Sequence, residues 1–227
     1  MYGNALPASA ALAKASKAKG YGTTMNDKRL EQLSERVREA KSAIDEGDPK
    51  RGVTQMKQVL GEMARQGVVS AHAHWVMAVA CDMAGEVEMA FHEVLKSIEL
   101  DPLAAPFRHS FSIVVGRIRG ILADPERPEH DEATPRLYAL LSRSGEADVG
   151  AHLAMVRYQL AIGAVSDAKA LVDAVVLLNP ADASAWQAKA KVARATGDQE
   201  GAVLAEAEAA AVAPAEAPFG STTVGEA

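Results

Sequence analysis

The chain has 227 residues, 48% of them hydrophobic but only 4% aromatic, a single cysteine, and a formal net charge of -6. An intrachain disulfide is excluded, and a general nucleic-acid binder, which needs a basic face, is disfavoured. No apolar run approaches the roughly 20 residues that span a bilayer, and a lone cysteine fits a reducing, cytoplasmic compartment. The apolar bulk is Ala, Val and Leu. Ala and Leu are strong helix formers whose modest side chains suit close helix packing, so the chain reads as all-α.

Residues 1–26 carry Lys14, Lys17 and Lys19 and no acid. The lysines follow the Ala/Leu stretch, the reverse of a secretory signal, and the lack of arginine speaks against a transit peptide. The segment is expected to be a flexible tail, either an interaction peptide or inert. Thr24 to Asp27 forms a weak capping signal before the first long helix.

From Leu33 onward the chain is punctuated. Gly85 is followed by Ala90 and then Pro102, Gly163 by Ala168 and Pro180, and Gly197 by Ala202 and Pro214, each time five and then twelve residues apart. Glycine ends a helix cheaply in a left-handed turn. Alanine, one turn into the next helix, lets two helices approach closely, and proline stops that second helix. An earlier unit, Leu33 to Ala64, places Gly47 and Gly52 in the Gly and Ala roles and lacks the closing proline.

Pro180 and Pro214 are 34 residues apart, whereas Pro102 and Pro180 are 78 apart, ten more than two periods. Residues 124–133 (DPERPEHDEA) are a Pro-rich acidic insertion of that length. They predict one helix pair interrupted by a surface loop.

A period of 34 residues marks a repeat architecture. The stretch Ala71 to Pro102, AHAHWVMAVACDMAGEVEMAFHEVLKSIELDP, resembles a tetratricopeptide repeat, including its LDP ending. Val149 to Pro180 and Ala183 to Pro214 look like further copies, and Trp186 sits where that family favours an early Trp, with Trp75 one position late. The resemblance implies a right-handed solenoid of about five antiparallel helix pairs over 27–214, with a concave groove and a flexible tail at 215–227.

In such a solenoid the first helix of each pair lines the groove, on a stripe recurring at three- and four-residue steps. That phase selects Arg38 and Lys41, then His72, Trp75, Val79 and Asp82, then Leu153, Arg157 and Leu160, then Gln187, Lys191 and Arg194. The groove is expected to be mildly basic with apolar patches, fit for an acidic or amphipathic peptide. Some family members clamp acidic chaperone tails with Lys and Asn. Here His109 and Trp75 stand where a Lys is expected and the Asn residues are missing.

Chemistry finds no constellation. His72 and His74 are two apart and point to different sides of a helix, so with His92 they make no metal site. Cys81 lies on a packing face and reads as a buried structural thiol. Carboxylates such as Glu86 and Glu88 are a helix's polar face. No phosphate loop, nucleophile elbow or acid–base pair is present, so neither catalysis nor a cofactor is expected. The expected role is a non-enzymatic scaffold or adaptor for a protein or peptide partner. An assembly- or secretion-type chaperone and a structural subunit of a large bacterial assembly are the alternatives, and homo-oligomerisation stays open.

Overall fold

The computed structural model describes residues 27–124 and 126–213. The expected N-terminal tail, the cap signal at Thr24, Pro125, Pro214 and the C-terminal tail lie outside these residues. Among the described residues the chain forms ten helices and no strand: α1 Asp27–Asp45, α2 Pro49–Arg65, α3 Ala71–Met83, α4 Val87–Leu100, α5 Ala105–Ala123, α6 Ala133–Ser144, α7 Val149–Ala161, α8 Val165–Leu178, α9 Ala183–Ala195 and α10 Gln199–Val212. They are five successive pairs, as the period implies. The acidic insertion separates the two helices of the third pair.

The predicted glycine turns carry the chain reversals. Gly85 has φ +82°, and its N–H donates to the Asp82 carbonyl while the next N–H, of Glu86, reaches back to Cys81. This double closure satisfies two otherwise orphaned helix carbonyls, and only glycine adopts the left-handed conformation without strain. Gly47, Gly163 and Gly197 close the first helices of their pairs in the same way.

Two further left-handed glycines escaped the sequence reading. Gly67 (φ +67°) and Gly145 (φ +76°) end α2 and α6, the two second helices that no proline stops. Pro102 and Pro180 sit just beyond α4 and α8. The end of a second helix is therefore marked either by Pro or by a glycine cap.

Helix starts are capped by side chains. Asp48 accepts from the Arg51 N–H, Ser70 from Ala73, Asp148 from Ala151, Asp182 from Ser184 and Ala185, and Asp198 from Gly201. Each such cap is worth about 1 kcal/mol. The interrupting loop ends on Asp131, which accepts from the Ala133 N–H at 2.8 Å and pairs with Arg127 at 3.0 Å.

The helices group into two compact units. The first runs to Ile121 and includes Ala139–Glu146; the second comprises Leu122–Tyr138 and the chain from Ala147. In the first, α1 packs on α2 and α3, α2 on α3, and α3 on α4. In the second, α7 packs on α8 and α9, α8 on α9, and α9 on α10.

Small residues sit where the second helix meets the first: Ala90 and Ala168 are fully buried and Ala202 nearly so. In the first pair the approach is closer still. A Cβ on Gly52 would lie 2.6 Å from Ile44 Cγ1. The first unit's largest buried side chains include Trp75, Phe91, Met56 and Leu33. The second unit's core is built from Val156, Val172 and Val192 around Ala168, and from Leu153, Val175 and Val176 around Ala185.

Candidate partner-binding surfaces

The predicted stripe divides into side chains that reach solvent and side chains that do not. Helix α3 is buried at every position from His72 to Asp82 because α1, α2 and α4 pack on it and α5 bonds to it. Trp75, placed in the groove by its phase, is only 2% exposed. Its indole N–H donates to Ser110 Oγ at 2.9 Å, and its ring lies 6.0 Å from Phe107. Val79 is buried on the same helix. Leu153 is likewise a core side chain, packed with Val175, Val176 and Ala185. These three are corrections to the expected lining. A helix packed from several directions has no free stripe, and a three-to-four-residue rhythm cannot tell which of its faces is covered.

His72 is buried beside Trp75, their rings 5.4 Å apart. Burial first, and then the positive Lys41, hold its imidazole below the usual range. His74 turns the other way and meets Glu93 of α4 at 2.6 Å. Among the described residues no three His, Cys, Asp or Glu side chains gather in a way that would hold a metal ion. Cys81 is fully buried, and burial pushes its thiol up to about 12.

Asp82 was expected in the groove but is only 1% exposed. Arg117 of α5 holds it, with Nε 2.8 Å from Oδ1 and Nη2 3.0 Å from Oδ2. The ion pair, with Nη2 hydrogen-bonded to Oδ2, offsets part of the carboxylate's lost hydration. Arg117 was absent from the sequence reading, although a signal existed. It lies 35 residues after Asp82, as Ser110 lies 35 after Trp75, and Arg157 donates to the Leu122 carbonyl, again 35 residues away, at 3.1 Å. Bonds between successive first helices thus recur at nearly the repeat period.

The remaining predicted residues face solvent wholly or in part. In the first unit these are Arg38, Lys41 and His109. Arg38 pairs with Glu35, and Lys41 with Asp45 at 2.6 Å. In the second unit Gln187, Lys191 and Arg194 are exposed, while Arg157 and Leu160 are half-buried. Arg194 pairs with Glu206.

The face is therefore closer to neutral than its arginines and lysines imply. Beside it, Lys189 lies over the Trp186 ring, 5.5 Å from its centre, and also 3.0 Å from Asp173. Burial pushes the Asp173 carboxyl up, but Lys169 and Lys189 together outweigh this and hold it below the ordinary carboxylate range. No helix among the described residues is long and apolar enough to cross a membrane.

The tetratricopeptide repeat family profile matches residues 129–192, from the interrupting loop into α9. Nothing among the curated proteins matches the chain. Among solved structures, the chain is similar to MamA 41-end from Desulfovibrio magneticus RS-1, at 14% identity and a TM-score of 0.37 over 79% of this chain and 94% of that one. It is also similar to MamA of strain MSR-1, at 14% identity and a TM-score of 0.39 over 80% and 96% of the two chains. TTC0263, a thermophilic TPR protein in Thermus thermophilus, matches at 16% identity and a TM-score of 0.36 over 81% and 93%.

Proposed function

We propose that this chain, whose residues 129–192 match the tetratricopeptide repeat family profile and which forms five helix pairs, four of them reversed at a left-handed glycine, is a non-enzymatic scaffold that binds an amphipathic, acidic segment of a partner protein. The binding surface is the first-helix face of its pairs. One observation carries this reading. Within each unit the first helices of neighbouring pairs pack directly on one another, α1 on α3 and α7 on α9. In the second unit the outward side chains of α7 and α9 then form a surface that continues from pair to pair, whereas in the first unit α3 is buried from His72 to Asp82 and the exposed side chains are those of α1 and α5; repeat proteins use such surfaces for recognition.

The contact residues proposed are Arg38, Lys41 and His109 in the first unit, and Arg157, Gln187, Lys191 and Arg194 in the second. Lys191 offers a charge with no partner among the described residues, whereas Arg38 and Arg194 would have to exchange Glu35 and Glu206 for a ligand carboxylate. Exposed pairs of this kind are worth about 0–1 kcal/mol, so the exchange is easy.

The test is site-specific photocross-linking in the source cell. Benzoylphenylalanine at Gln187 or at His109 should give a discrete protein adduct. The same probe at Leu177 or Val203, exposed on second helices, should not. Adducts formed only from the second-helix positions, or from none of the four, refute the proposal.

A further inference from the structure

The first unit holds an apolar groove that the proposed function does not use. It lies between α4, the beginning of α5 and the end of α6, with a volume of about 550 Å³. Binding clefts commonly measure about 300–1,000 Å³. Its floor is the pair Phe91 and Phe111, whose rings are 5.5 Å apart. Leu95 and Ile98 of α4 form one wall and Leu140 of α6 stands opposite. Leu95 and Ile98 are half-buried, and Leu140 is 8% exposed. From α6 only Leu140, Arg143 and Ser144 line it.

The rim of the groove is positive. Arg108 and Arg143 both line it and both are exposed. Neither has an ion-pair or hydrogen-bond partner among the described residues, whereas the cations at Arg36, Arg38, Lys41, Arg117, Arg119, Arg127 and Arg194 are all paired within the chain. Two unpaired guanidiniums beside an apolar trough set the chemistry of the occupant. Apolar side chains fill the trough, and carboxylates meet the forks of the arginines.

We propose that this groove is a second docking site, for an amphipathic helix of a partner protein. The helix inserts large aliphatic or aromatic residues recurring at three- and four-residue steps between α4 and α6, and places Glu or Asp against Arg108 and Arg143. Two of the groove's sides, α4 and α6, are second helices, while α5 contributes Phe111 and Arg108 beside the first-helix contact His109, so the scaffold presents two adjoining recognition surfaces of different character. One is polar and nearly neutral. The other is apolar with a cationic edge.

The test uses the full chain and two labelled helical peptides of about 16 residues, long enough to hold helix. Both carry Leu at three- and four-residue steps. One is flanked by Glu and the other by Lys. Fluorescence anisotropy should show the Glu peptide binding at least about tenfold more tightly. The double substitution Arg108→Glu with Arg143→Glu should reverse that preference. Leu95→Ala should weaken both peptides, and Val203→Ala, exposed on a second helix of the second unit, should change neither. Far-UV circular dichroism of each variant establishes that it is folded.

The proposal is overturned if the full chain binds neither peptide, including the case in which binding emerges only after removal of 1–26 or 215–227. Survival of the preference in the double arginine variant overturns it too. So does binding that Lys191→Glu abolishes while Leu95→Ala leaves it unchanged, which would place the peptide on the first-helix surface instead.

Discussion

Gly52 offers the sharpest test of how the first pair is packed. In the other pairs that carry the punctuation an alanine occupies the corresponding place, at Ala90, Ala168 and Ala202, and all three are at most 1% exposed. Changing Gly52 to Ala therefore makes the first pair match the rest. It also adds a methyl group 2.6 Å from Ile44 Cγ1 and 3.3 Å from the Ala40 carbonyl oxygen. Ile44 is itself only 3% exposed in α1. A β-branched side chain in a helix has essentially one χ1 rotamer, so Ile44 cannot swing aside cheaply.

Overpacking of this kind costs about 1–3 kcal/mol. Replacing a mid-helix glycine by alanine returns about 0.5–1 kcal/mol. The net expectation is a loss of about 0–2.5 kcal/mol. Urea unfolding followed by far-UV circular dichroism reads it as a lowered midpoint at constant slope. Ile44→Ala removes the obstructing atoms and is itself expected to cost about 2–5 kcal/mol. Gly52→Ala made in that background should lose its penalty and become neutral or stabilising. A Gly52→Ala protein more stable than the parent, or additive effects of the two substitutions, would show that the helices do not approach as closely as described.

Trp75→Phe should cost about 1–3 kcal/mol by stranding the buried Ser110 hydroxyl, and Ser110→Ala in the same protein should recover much of it; an unchanged urea midpoint in the single variant would mean that bond does not matter. Cys81 should resist a disulfide-exchange reagent at about pH 8 in the folded chain and react on denaturation, since burial holds its thiol near 12; stoichiometric native labelling refutes this. Burial and Lys41 depress His72 in the first unit, and burial depresses His152 in the second despite Asp148. The unfolded chain then takes up more protons than the folded one, so stability should fall as pH drops through the ordinary imidazole range near 6.5, and level off below the depressed values. A urea midpoint that rises between about pH 7.5 and 5.5 would contradict the depression of both imidazoles.

Much of the fold was legible because its signals are local. Gly47, Gly85, Gly163 and Gly197 mark turns whatever packs around them, and the ten-residue excess located the interrupting loop by counting. Gly67 and Gly145 were missed because the same residue closes second helices where proline was the expected stop. The site was far less legible. Trp75, Val79 and Leu153 obey the same periodicity as the exposed Gln187 and Lys191, and only the packing of neighbouring helices separates them. Arg117 could be found only by asking what lies one repeat beyond a buried Asp82. The groove beside α4 gathers side chains of α4, α5 and α6, a juxtaposition that no spacing in the chain expresses.

The burial of Trp75 has a practical consequence. The chain contains two tryptophans, one in each unit: Trp75, enclosed by Phe107 and Ser110, and Trp186, half-exposed, with its N–H donated to the Pro180 carbonyl at 2.8 Å and Lys189 over its ring. Each is a native optical reporter in a different setting, blue-shifted and sheltered in the first unit, red-shifted and open to quencher in the second. With one replaced by Phe at a time, iodide quenching and emission wavelength follow a single unit of the unlabelled protein. Whether the two halves melt together, and which of them a bound partner steadies, can then be read from light the molecule already emits.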